Sequence, residues 1–136
     1  MIYLSNQDVA QLLTPKNCIE ALEGAFIELA KGRAISRPRT DVFTPCDRPD
    51  GYYRWGTMEG ANDGYFAIRM KSDVVYETNY NGVHTQEKYC SRPGLFCGLV
   101  LLTSIETGEP LAFINDGVLQ HMRVGGDGGK IGRAHV

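Results

Sequence analysis

Apolar positions in the first thirty residues follow a helical period. Between residues 15 and 31, Cys18, Ile19, Leu22, Ala25, Phe26 and Leu29 recur at three- and four-residue steps, which marks one buried face. Thr14 is a good N-cap, and Pro15 suits the first helical position because its missing N–H would have no partner there. Gly32 marks the helix end. Upstream, Ser5 and Asp8 have capping-box spacing, with Asp in place of Glu, and predict a short helix over residues 6–13. Glu20, Glu23, Glu28 and Lys31 are read as a solvated face.

After Arg33 the period changes. Residues 39–43, 52–58, 65–75, 95–104 and 111–114 are rich in aromatic and β-branched side chains and predict strands. Glu106-Thr107-Gly108-Glu109-Pro110 separates the last two and has hairpin chemistry, with glycine supplying positive φ. The polar stretch 77–92 is expected to be irregular. Beyond Asn115-Asp116-Gly117, the positions Val118, Leu119 and Met122 suggest a new helix. Helices first, then strands in mainly antiparallel connection, make an α+β fold with N-terminal helices packed on the sheet.

Bulk properties narrow the function classes. An apolar fraction of 43% and a charged fraction of 22% describe an ordinary globular chain. The net charge is −2 and the basic residues form no run, so neither nucleic acid nor a membrane is expected as a partner. The longest apolar run, residues 99–102, falls far short of the ~20 residues of a membrane span. Cys18, Cys46, Cys90 and Cys97 include no C-x-x-C pair and no apolar leader opens the chain, which fits reduced thiols and a cytoplasmic location.

Candidate chemistry centres on basic residues. Arg69 and Lys71 lie two apart on a strand and share a face. Periodicity alone turns Phe66, Ile68, Met70 and Ser72 inward and leaves this pair in solvent. The alternative starts from like-charge repulsion on one face, which an anionic partner such as a carboxylate would relieve. His84 and His121 lack partners at metal-ligand spacing, so no metal is expected. No nucleophile elbow or Cys–His context supports covalent catalysis. The glycines at 125, 126, 128 and 129 match neither phosphate-loop nor dinucleotide fingerprints.

Several segments together carry a family resemblance. Arg37-Pro38-Arg39-Thr40, Phe66-Ala67-Ile68-Arg69-Met70-Lys71-Ser72, and the stretch from Val100 to Arg123 with its Glu106-Thr107-Gly108 turn and Asn115-Asp116-Gly117 resemble the ornithine cyclodeaminase/mu-crystallin family in order and spacing. The resemblance covers roughly the first 129 residues. It implies a substrate-binding and dimerisation domain at residues 1–129, with the first part of a linking helix at 117–129. A Rossmann domain binding NAD or NADP should follow in the parent enzyme and is missing here, so this fragment is expected to bind no cofactor and to be inactive alone. By the same resemblance, Arg39 and Arg123 hold the carboxylate of a small amino- or imino-acid substrate. Paired guanidinium donors suit a planar carboxylate. The family's strand lysine aligns with Arg69, a departure. A guanidinium does not release a proton near neutral pH, so Lys71 is the expected catalytic residue and Arg69 a substrate-binding one.

Two further expectations come from the resemblance and the chain end. Mu-crystallin-like relatives bind small ligands, and Tyr52, Tyr53, Trp55 and Phe66 are candidates for such a pocket; a non-catalytic dimerisation module is the third reading. Ile131-Gly132-Arg133-Ala134-His135-Val136 matches one reading frame of a common sequencing-library adapter, so residues 130–136 are expected to be a non-native tail.

Overall fold

A computed structural model describes residues 1–90, 92 and 95–134, with the backbone alone described from 130 onward. Among these residues three helices and eight strands occur. They are β1 (Ile2–Leu4), α1 (Asn6–Leu12), α2 (Pro15–Ala30), β2 (Ile35–Ser36), β3 (Thr40–Pro45), β4 (Gly51–Asn62), β5 (Tyr65–Tyr80), β6 (Val83–Lys88), β7 (Gly98–Ser104), β8 (Pro110–Asn115) and α3 (Asp116–Ala134). The fold is α+β, as the sequence predicts.

Local chemistry accounts for the helix starts. Ser5 Oγ accepts from Asp8 N–H at 3.2 Å while the Asp8 carboxylate accepts from Ser5 N–H at 2.8 Å, closing the capping box of α1. Thr14 Oγ1 accepts from Asn17 N–H at 3.2 Å at the start of α2. Asn6 of α1 reaches across to cap α3, its Oδ1 accepting from Val118 N–H at 2.9 Å.

One sheet holds all eight strands, in the order β1-β8-β7-β5-β4-β2, with β3 also on β4 and β6 also on β5. Every pairing is antiparallel except β1 with β8. Two tight turns build its centre. Asp63-Gly64, with φ of 50° and 80°, joins β4 to β5, and Asn81-Gly82, with the same angles, joins β5 to β6. The second turn corrects the irregular segment expected over 77–92: β5 runs on to Tyr80 and β6 returns to Lys88. β6 escapes hydrophobic pattern reading because it is a polar edge strand.

Register fixes which side chains share a face. Arg54, Gly56 and Met58 of β4 lie opposite Asp73, Lys71 and Arg69 of β5, and Val100 and Gly98 of β7 lie opposite Arg69 and Lys71. The helices cover this face. Leu12 and Leu13 approach Leu4 and Ile114, and α2 lies over Gly60 and Ala67 across an open cleft of about 350 Å³. On the same face Lys71 and Asp73 are buried, at 6% and 2% exposure. The solvated position that periodicity assigns to Arg69 and Lys71 is thus corrected. No described helix lies on the other face, which carries Ile68, Met70, Trp55 and Leu99.

The apolar core is small, with Val9, Cys18, Val75, Val100 and Ala112 as its buried members, while Phe26, Leu29, Ile35, Val42 and Trp55 are exposed. α3 begins at Asp116 and its backbone stays helical through Ala134, so residues 117–129 and 130–134 form one helix. Glycines 125, 126, 128 and 129 sit inside it, and Gly126 lets α2 come close: a Cβ there would lie 2.9 Å from Leu22 Cδ1. Residues 135 and 136 of the expected tail lie outside the described residues.

Candidate functional site

The centre of β5 places two basic side chains under the helices, and the structure treats them differently. Arg69 is fully engaged. Its Nε and Nη2 donate to Asp116 Oδ2 at 2.7 and 2.5 Å, Nη2 also meets Gln120 Oε1, and Nη1 lies 3.5 Å from Met58 Sδ. Gly98 makes room for this, since a Cβ there would stand 3.1 Å from Asp116 Oδ2. Arg69 thereby fastens the first turn of α3 to the sheet.

Lys71 sits one step along the same face, flanked by Gly56 on β4 and Gly98 on β7. Its Nζ lies 3.0 Å from Asp73 Oδ2, which also accepts from Arg54 Nη2 at 2.7 Å. Burial pushes the Lys71 ammonium down to about 8, and the neighbouring Lys88 pushes the same way, against the pull of Asp73. Burial also opposes the Asp73 charge, but the bonds from Arg54 and Lys71 outweigh it and hold that carboxyl below its ordinary value.

Arg39 stands on the other side of Gly56. It pairs with Asp41 at 2.8 Å, and a Cβ on Gly56 would fall 2.3 Å from Asp41 Oδ1 and 3.4 Å from Arg39 Cδ. The missing side chain thus lets the Arg39–Asp41 pair lie over Gly56 on β4, whose neighbour on β5 is Lys71. Of the four residues singled out from sequence, Arg69 and Lys71 share one face of β5, and Arg39 lies over Gly56, one strand away from Lys71.

Arg123 is placed differently. It pairs with Asp127 one turn on, at 2.9 Å, and is half-exposed. Asp116, Gln120, Arg123 and Asp127 share one stripe of α3 by spacing, so the helix that Arg69 anchors also carries Arg123. On α2, burial raises the Cys18 thiol above its ordinary value, with Asp127 adding to this and Arg123 opposing it. Sequence reasoning missed Arg54, Asp73 and Asp116; the two-residue spacing from Lys71 to Asp73 is the one signal that could have found any of them.

The four aromatics proposed to line one pocket do not share a face. Tyr52 packs edge-on against Phe43, with ring centroids 5.6 Å apart, while Tyr53 and Trp55 are directed to the opposite side with Phe66. Among the described residues there is no group of three or more metal-binding side chains, and no helix is long and apolar enough to cross a membrane. All four cysteines are free thiols.

Helices on one face of a mostly antiparallel sheet are the fold that this chain shares with one part of solved ornithine cyclodeaminase, alanine dehydrogenase and pyrroline-carboxylate reductase structures. The particular structures it matches make this concrete. An archaeal alanine dehydrogenase dimer with bound NAD is 26% identical, covering 93% of this chain and 34% of its own, with a TM-score of 0.64. The Δ1-pyrroline-2-carboxylate reductase of Thermococcus litoralis, in complex with NADH and L-proline, is 27% identical, covering 95% of this chain and 36% of its own, also with a TM-score of 0.64. A probable ornithine cyclodeaminase from Bordetella pertussis Tohama I shares the fold at 20% identity, covering 93% of this chain and 33% of its own, with a TM-score of 0.66. The chain spans about a third of the length of these structures. No protein-family model matches the sequence. No curated protein matches it either.

Proposed function

We propose that this chain is the substrate-binding and dimerising part of an NAD(P)-dependent enzyme that acts on a small amino or imino acid. The observation that carries this reading is the buried Lys71, held at about 8 between two glycines, with the Arg39–Asp41 pair lying over one of them. A lysine with that value exchanges a proton readily near neutral pH, which a group acting on an amine or imine must do. Arg39 and Arg123 would hold the carboxylate. Arg69, committed to Asp116 and Gln120, would set the position of the helix bearing Arg123.

The similar structures with bound NAD or NADH motivate the cofactor. The described residues do not fit a dinucleotide: the glycines at 125, 126, 128 and 129 lie inside a helix rather than in a strand-to-helix turn. In this reading NAD or NADP binds elsewhere in the parent protein. The exposed Val42, Trp55 and Leu99, on the sheet face that no described helix covers, support a dimer contact there.

Isothermal titration of the chain with L-alanine, L-proline and L-ornithine tests the carboxylate site. Binding of at least one, abolished by Arg39→Ala and by Lys71→Met, is the expected result. Binding that survives both substitutions would overturn the assignment.

A further inference from the structure

Charge on the covered face is matched one to one at Arg69–Asp116 and Arg39–Asp41. Asp73 breaks the pattern. A single oxygen of its carboxylate takes both Arg54 and Lys71. Lys88, directly across from Val75, projects to the same face and stands diagonal to Asp73, with its ammonium beside that of Lys71. Three cations thus converge on one carboxylate, a surplus of two positive charges. Arg54 and Lys71 are almost entirely withdrawn from solvent, with side chains 11% and 7% exposed.

Two buried polar atoms in this cluster have no partner: Arg54 Nε, a donor, and Asp73 Oδ1, an acceptor. Buried groups of this kind are ordinarily satisfied, so a ligand with both acceptors and a donor would complete the cluster. A cleft of about 290 Å³ opens beside Lys88, lined by Gln86, Glu87, Cys90 and Phe96. Lys88 lies 5.6 Å from the centre of the Phe96 ring, which also meets the His121 ring of α3 edge-on. Glu87 also lines this cleft, but by alternation along β6 its side chain starts from the face opposite that of Lys88, Lys71 and Asp73.

A monocarboxylic amino acid is a zwitterion and brings no net charge to this surplus. A second carboxylate does. We propose that the substrate is an amino or imino acid with two carboxylates, one directed to Arg39 and the other to Lys88 and Arg54, with its nitrogen toward Asp73 Oδ1. This rests on the carboxylate site proposed above and narrows it to a substrate class.

The test is titration of the chain with L-aspartate and L-glutamate against L-alanine and L-proline at matched ionic strength. The dicarboxylic acids should bind about tenfold tighter or more, and Lys88→Gln should remove most of that preference. Lys16→Gln, the same charge change on the exposed face of α2, should preserve it. Monocarboxylic acids that bind as tightly as dicarboxylic ones would overturn this inference and leave the broader function standing. A preference that survives Lys88→Gln would overturn the placement of the second carboxylate. Failure of every amino acid to bind would overturn the broader function and this inference with it.

Discussion

Replacing Lys71 with methionine should make the protein more stable. The ammonium lies 6% exposed, and its value drops from an ordinary 10.5 to about 8, mainly because burial disfavours the charge and also because Lys88 is near. That drop corresponds to roughly 3 kcal/mol of unfavourable free energy in the folded state at neutral pH, the attraction of Asp73 already included. Methionine has similar length and no charge, and Asp73 keeps Arg54 as a partner. The expected gain at pH 7 is therefore about 1–3 kcal/mol, a substantial part of a total stability of about 5–15 kcal/mol.

The pH dependence supplies an independent check. Because the folded value lies below the unfolded one, the unfolded chain binds more protons between pH 8 and pH 10.5. Stability of the parent chain accordingly rises through that window relative to Lys71→Met, and the difference closes by its upper end. Urea unfolding followed by circular dichroism at pH 7 and at pH 10.5 measures both quantities. Core substitutions usually destabilise, so a gain is informative. A loss of more than about 1 kcal/mol at pH 7, or a difference unchanged across the window, would show that the ammonium is a structural tie to Asp73. The case for Lys71 as a functional group would then fail.

Three other substitutions probe the surroundings. Asp116→Ala removes the carboxylate, 2% exposed, that holds Arg69, and should cost about 3–5 kcal/mol in urea unfolding; a cost below about 1 kcal/mol would mean that this pair does not anchor α3. Gly56→Ala places a Cβ 2.3 Å from Asp41 Oδ1, so the Arg39–Asp41 pair must shift; amino-acid binding measured by calorimetry should weaken more than stability does, and unchanged binding would remove Arg39 from the site. Trp55→Glu puts a charge on the uncovered sheet face, where the parent residue is 38% exposed; light scattering should show a dimer becoming a monomer, and a parent chain that is itself monomeric would refute the proposed contact.

Much of the scaffold was legible because its signals are local. The Ser5–Asp8 box, the Thr14-Pro15 start and the hairpin around Gly108 depend on neighbours a few residues apart, and each has the predicted partner or angle. The Asn81-Gly82 and Asp63-Gly64 turns are equally local, but polar sequence around the first masks the strand pairing it directs. The covered face of β5 was not legible. Phe66, Ile68 and Met70 are the more apolar set and read as inward, yet Lys71 and Asp73 are the buried ones and Arg69 lies against α3. What overrides the period is pairing at long range: Asp116, 47 residues from Arg69, supplies the carboxylate that makes a buried arginine tolerable. Arg54, 19 residues from Asp73, does the same there. No window of a dozen residues contains either partner.

The two basic residues at the centre of β5 therefore have opposite meanings. Arg69 has a carboxylate and an amide on its donors, and its burial is explained by what it holds together. Lys71 shares half of an already occupied carboxylate oxygen and faces a second ammonium, so its burial costs the fold stability that the contacts within the chain do not return. Arrangements that sacrifice stability in this way concentrate where a protein binds or transforms a ligand. The glycines on either side strengthen the same reading. Gly98 leaves room for Asp116 beside Arg69, and Gly56 leaves room for the Arg39–Asp41 pair one strand from Lys71. An anion that binds beside Lys71 would offset the repulsion it meets from Lys88, which makes carboxylate binding and Lys71 protonation two sides of one equilibrium.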